Sequence, residues 1–178
     1  MTYDFILPSG PTTTTIGVGT SNIIVLQKDF GPTSFCDSRI SQDFQSVEWV
    51  IEAVSQSTVE EIILVGSELS MDRLAQFENW KIRLIENANY KSGMTSSIQA
   101  GVSAAGPKNG LMICLGDLPL IRTETLGQLI SVFDGHSIVV PTYQGQKGNP
   151  VIFPSSLRQA ILNHKEPEGC KGVVQANK

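Results

Sequence analysis

Three short stretches combine residue types that could hold a nucleotide and its metal. The first is Gly116-Asp117-Leu118-Pro119, which follows the apolar run Leu111–Leu115. An apolar strand ending in one carboxylate can hold Mg²⁺ against phosphates, because that ion takes one or two carboxylates and completes its shell with phosphate oxygens and water. Asp117 could equally be a turn residue that caps the next helix. The second stretch runs from Asn89 to Ser97 and contains Gly93 and Met94. A glycine between strand and helix lets a ligand approach the backbone, and the helix-start N–H groups with the Ser96 and Ser97 hydroxyls suit a ribose or phosphate. The same hydroxyls could simply cap the helix. The third stretch, Pro141–Phe153, reads as strand, turn, strand. Gln144-Gly145-Gln146 forms the turn and Lys147-Gly148-Asn149 begins the return. Lys147 and Asn149 would then offer polar groups to a ligand, or decorate a plain exposed hairpin.

The elements that must position these residues can be read from the apolar pattern. Short runs at Tyr3–Leu7, Ile23–Leu26, Glu61–Val65, Ile82–Ile85, Leu111–Leu115, Ser137–Val140 and Pro150–Phe153 are mostly rich in Ile, Val and Leu with little alternation. That is the pattern of strands covered on both faces. Between them, Val47, Val50, Ile51 and Val54 follow the spacing of one buried helix face, as do Leu126, Leu129, Ile130 and Phe133. Thr123 is placed to cap the second of these helices, and Ser96 with Gln99 has the form of a capping box for a helix that Gly106-Pro107 ends. Strands alternating with helices predict an α/β fold with a mainly parallel sheet between helical layers, whose ligands bind beyond the carboxyl ends of the strands.

Composition narrows the field. The chain has 178 residues, 40% hydrophobic and 17% charged, with a formal net charge of -4. One domain over residues 1–178 is expected. The mild negative charge without clustered Lys or Arg argues against a nucleic-acid surface. Cys36, Cys114 and Cys170 are scattered and form no CxxC pair, as expected of reduced thiols in the cytoplasm. No apolar run approaches the length of a membrane span, and no secretory signal is expected.

Taken together, in this order and spacing, the three stretches resemble the MobA-like NTP transferase family, especially its MocA and xanthine-dehydrogenase-accessory branch. That branch carries Gly-Met-x-x-Ser, Gly-Asp-x-Pro and Gly-(His or Asn)-Pro segments, and the resemblance runs from about Gln45 to Phe153. It implies a three-layer α/β/α Rossmann-like nucleotidyltransferase fold that joins CTP or GTP to a phosphorylated, molybdopterin-type cofactor. It also implies Asp117 as the ligand of Mg²⁺ (or Mn²⁺), Gly93, Met94, Ser97 and Asn149 in the nucleotide site, and a molybdoenzyme as partner.

The family's phosphate-loop signature, Leu-Ala-Ala-Gly-x-Ser-x-Arg-Met-Gly followed by Lys, is matched only in outline. Leu7, Gly10 and Gly17 keep its frame, Thr14 or Thr15 replaces the arginine, and Asn22 falls near the lysine's place. Threonines can donate hydrogen bonds to phosphate but bring no charge, so transition-state stabilisation would be weaker by several kcal/mol, by analogy with single donors worth about 3–4 each. At the far end, Gly169-Cys170-Lys171-Gly172 has a thiol where the family's second metal-binding aspartate is expected. Thiols are poor ligands for Mg²⁺. Three readings follow in rank order: a nucleotidyltransferase with an altered phosphate loop, a non-catalytic relative that binds a nucleotide, cofactor or partner, and a sugar-nucleotide glycosyltransferase.

Overall fold

The computed structural model describes residues 4–5, 22–26, 37–79, 81–106 and 110–177. Its centre is a five-stranded sheet of β2 (Asn22–Leu26), β3 (Ile62–Gly66), β4 (Ile82–Glu86), β5 (Leu111–Leu115) and β8 (Val151–Phe153), in the order β4-β3-β2-β5-β8. The first four strands are mutually parallel and β8 runs antiparallel to β5.

Because side chains alternate across a strand, each apolar strand feeds two cores. Ile23 and Val25 of β2, with Met112 and Cys114 of β5, face α1 (Asp37–Ser55) and α4 (Thr123–Ser131). Ile24, Leu26, Leu111 and Ile113 face the other way, toward α3 (Met94–Ala104), α5 (Arg158–Leu162) and α6 (Lys171–Ala176). The short α2 (Met71–Leu74) places Leu74 in the first core. The chain is therefore a three-layer α/β/α sandwich, as its alternating pattern predicts. The predicted helix faces are buried at Val47, Val50, Ile51 and Val54 in α1 and at Leu126, Leu129 and, just past α4, Phe133, with Ile130 half-buried against the same core.

Four local expectations need correction. Within the run Tyr3–Leu7, the described strand β1 (Asp4–Phe5) is not in the central sheet: it pairs antiparallel with β6 (Pro141–Tyr143), which pairs in turn with β7 (Gln146–Lys147). Ser137–Val140 forms no strand, and only Val139 makes a bridge, to Ile152; the strand starts at Pro141 instead. Ser96 and Gln99 do not form a capping box. The helix begins at Met94, because Gly93 (φ 101°) sets its N-cap, and Gln99 Nε2 instead donates to the carbonyls of Ile161, Leu162 and His164. Thr123 does not cap α4; its hydroxyl donates to the Ala53 carbonyl at 3.0 Å and ties α4 to α1.

Candidate functional site

The carboxyl ends of β2, β3, β4 and β5 lie along one edge of the sheet, where Leu26, Gly66, Glu86 and Leu115 end their strands. Asp117 stands on this edge, exposed, two residues past Leu115. Gly116 before it is required by packing: a Cβ there would lie 2.7 Å from Val47 Cγ2 and 2.9 Å from the Leu26 carbonyl oxygen. Burial first, and then the negative charge of Asp117, push the Cys114 thiol up to about 12, so the carboxylate is electrostatically felt at the end of β5.

Asn149 comes to the same edge. The β5–β8 ladder ends at Ile113 paired with Val151, so Asn149, two residues earlier in the antiparallel strand, approaches the end of β5 that leads to Asp117. Its neighbour Lys147 is exposed in β7. The hairpin turn is Gln144-Gly145, both with positive φ (50° and 76°), which is the two-residue turn that fits the twist of antiparallel strands. Gln146 belongs to the returning strand, across from Tyr143.

At the start of α3, protein atoms take much of the room the sequence seemed to leave for a ligand. A Cβ at Gly93 would lie 2.8 Å from the Pro167 carbonyl oxygen, which also accepts the Thr95 N–H at 3.3 Å. The Thr95 hydroxyl donates to the Glu166 carbonyl and accepts the Gly169 N–H at 3.0 Å. What faces outward is Met94, 42% exposed, and the half-buried Ser97. Behind them lies a residue that the sequence motifs do not flag. Asn87, 4% exposed, donates through Nδ2 to Ser96 Oγ and Ser97 Oγ, both at 2.9 Å, and accepts the Asn89 N–H on Oδ1 at 2.9 Å. An asparagine directly after a strand favours a turn in which its side chain accepts the backbone N–H two residues on, and that signal could have found it.

The remaining expected residues divide into those outside the described residues and those placed elsewhere. Leu7, Gly10 and Thr14 lie outside the described residues. Asn22 is at the opposite end of β2, buried, paired with Leu111, its N–H donating to Gly110 at 3.1 Å. Four residues of rise separate it from Leu26, about 13 Å, so it cannot take the place of a phosphate-binding lysine. Cys170 sits directly before α6 against the second core, and burial pushes its thiol up to about 11. A protonated thiol offers a hard cation little, whereas one exposed carboxylate supplemented by a substrate's phosphates and water suits Mg²⁺ or Mn²⁺. Among the described residues no three of His, Cys, Asp and Glu cluster as a ready-made metal site.

Two of the described cations are held at the opposite edge of the sheet, where the strands begin. Lys81 and Arg158 are committed to the carbonyls that end α1 and α3. Lys91 lies 5.7 Å from the Tyr90 ring just ahead of Gly93. An open groove between Trp49, Glu52 and the Pro119–Glu124 turn contains none of the expected site residues. No helix of the described residues is long and apolar enough to cross a membrane.

Comparison with known proteins agrees with this architecture. A profile of the MobA-like NTP transferase domain matches residues 42–178. Nicotine blue oxidoreductase of Paenarthrobacter nicotinovorans is 26% identical over 124 residues, 66% of this chain and 61% of that protein, so the chain spans about three fifths of its length. A nucleotidyl transferase from Methanothermobacter superposes with a TM-score of 0.71 at 17% identity, covering 88% of this chain and 81% of that one. Rv0371c of Mycobacterium tuberculosis in complex with manganese gives 0.65 at 18%, with 89% and 81% covered. The 4-diphosphocytidyl-2C-methyl-D-erythritol synthase of Anaerococcus prevotii gives 0.60 at 16%, with 83% and 77% covered.

Proposed function

We propose that this chain, which belongs to the MobA-like NTP transferase domain family, transfers a nucleotidyl group from CTP or GTP to a phosphorylated acceptor of the molybdopterin type. The observation that carries the reading is the convergence of Asp117 and Asn149 on one sheet edge that α3 also begins from, in a family defined by NTP transfer. In the reaction, an acceptor phosphate oxygen attacks the α-phosphorus of the NTP. The bond to the β-phosphate oxygen breaks, and pyrophosphate leaves. Asp117 would hold a divalent cation, Mg²⁺ or Mn²⁺, which when bound offsets charge on the phosphates. Ser97 and Met94 would line the nucleoside, with Gly93 shaping the turn that presents them, and Asn149 would add its amide to the same nucleotide site.

Strand order supports a position for the phosphate loop. In the resembling family that loop follows the first strand of the sheet, and here the strand flanked by β3 and β5 is Asn22–Leu26, not Tyr3–Leu7. By sequence, the residues that follow this strand would be the counterpart of the family's loop, and they include Lys28. Gly10 and Thr14 would have no triphosphate role on this assignment.

A second reading, a non-catalytic nucleotide- or cofactor-binding relative, is favoured by Cys170, a protonated thiol where the family's second carboxylate is expected. Pyrophosphate release separates the two. The protein is incubated with α-labelled CTP or GTP, Mg²⁺ and molybdopterin. Pyrophosphate and a labelled pterin adduct in equal amounts are the expected result. NTP binding without release would favour the second reading.

A further inference from the structure

We infer that Asn87 fixes the hydrogen-bond polarity of Ser97, occupying one of its acceptor lone pairs so that its hydroxyl proton is turned out to read an acceptor atom on the bound nucleotide. This role rests on the nucleotide reading above and adds a positioning residue to it. What decides it is which atoms can donate and which can only accept. The Asn89 backbone N–H can only donate, and it points at Asn87 Oδ1 at 2.9 Å. That contact settles which end of the Asn87 amide is oxygen, so its NH₂ group must face the two serines. Each amide proton is then donated, one to Ser96 Oγ and one to Ser97 Oγ, both at 2.9 Å.

The two serines therefore accept from the same residue and differ only in where their own protons go. Ser96 Oγ lies 2.8 Å from the Gly93 carbonyl and 2.9 Å from the Asn89 carbonyl. Carbonyls only accept, so the Ser96 proton is used inside the turn. Ser97 Oγ finds no such acceptor among the described residues. Its proton is the one left over in the network, on a half-buried side chain in the first turn of α3. A hydroxyl ordinarily rotates to donate or accept as its partner requires. Here one of the two lone pairs on Ser97 Oγ accepts from Asn87, which biases the proton outward, and a ligand meeting Ser97 is recognised through an acceptor such as a base carbonyl, a ribose oxygen or a phosphate oxygen.

The variant that tests this is Asn87→Asp. A carboxylate keeps the shape and still accepts the Asn89 N–H, but it cannot donate. Ser97 would turn its proton toward the new carboxylate and lose its donor to the ligand. The experiment is a double-mutant cycle of Asn87→Asp and Ser97→Ala, read as calorimetric affinity for CTP and GTP with Mg²⁺. The added charge at position 87 is common to one whole side of the cycle and cancels. With Asn87 present, Ser97→Ala should weaken binding about 10-fold, the effect of one lost hydrogen bond. In the Asn87→Asp background it should change nothing. An equal loss in both backgrounds overturns the inference, as does unchanged affinity in Ser97→Ala alone, a single variant that stays decisive if Asn87→Asp proves unfolded in a thermal melt. Tripolyphosphate as a second probe locates the acceptor: a Ser97→Ala loss confined to CTP and GTP puts it on the nucleoside, and a matching loss for tripolyphosphate puts it on the phosphates. Wild-type protein that binds neither nucleotide would instead sink the functional reading itself.

Discussion

The backbone N–H of Gly116 donates to the carbonyl of Leu26 at 2.8 Å, so the central strand and the aspartate-bearing strand end together. The residues that follow Leu26 in sequence include Lys28, the cation proposed above for the triphosphate. On that proposal Lys28→Ala should lower NTP affinity about 10-fold and flatten its salt dependence, since the lysine acts through screened charge attraction. Thr14→Arg should leave affinity unchanged. Calorimetry at low and high salt checks both. A gain of affinity in Thr14→Arg, with none lost in Lys28→Ala, would return the loop to the segment around Gly10.

Gly93 is held at φ 101° with the Pro167 carbonyl where its side chain would be. Gly93→Ala therefore combines an unfavourable backbone conformation with a contact against backbone, which cannot rotate away. Together these should cost about 2–4 kcal/mol of stability in urea denaturation. A loss under about 0.5 kcal/mol, the size of an ordinary surface change, would show that the C-terminal segment does not clamp this turn.

The buried thiol of Cys114 and the half-buried thiol of Cys170 make a pH-dependent prediction. Burial holds Cys170 up at about 11, and burial with the Asp117 charge holds Cys114 at about 12, against an ordinary value of 9.0. Below about pH 9 both are protonated, folded or unfolded, and contribute no pH dependence. Above it the unfolded chain releases protons that the folded chain keeps, so stability should fall between pH 9 and about 12. Replacing Cys114 by Ala should flatten the fall. In a Cys36→Ser background neither thiol should react rapidly with an alkylating reagent at about pH 8, because the thiolate is the nucleophile. Fast labelling of Cys170 would contradict this.

The layers of the fold are legible in the sequence because they rest on periodicity. Val47, Val50, Ile51 and Val54 have to share a helix face, and the Ile- and Val-rich runs have to be covered twice. Strand order is not legible. Tyr3–Leu7 and Ile23–Leu26 are both short apolar runs before a glycine, and only the pairing of β2 with β3 and β5 shows which one is central. The polar detail is also hidden. Ser96 and Gln99 have capping-box spacing, yet the partners that decide their roles, Asn87 and the carbonyls that end α5, come from local geometry and from residues more than sixty positions away. Pro167, which occupies the space at Gly93, carries no signal in the sequence at all.

Everything in the proposed reaction depends on Asp117 holding a cation against the phosphates of a nucleotide at the carboxyl edge of the sheet. The most direct measurement is the thermal shift produced by CTP or GTP with and without Mg²⁺, in the wild type and in Asp117→Asn. A ligand bound only by the folded chain at about 100 times its Kd adds about 2.7 kcal/mol. That predicts a clear rise in Tm for the wild type that depends on Mg²⁺, with the Mg²⁺-dependent part lost in Asp117→Asn. A wild type that gives no shift with either nucleotide at millimolar concentration, or an Asp117→Asn variant that keeps the full Mg²⁺-dependent shift, would contradict it.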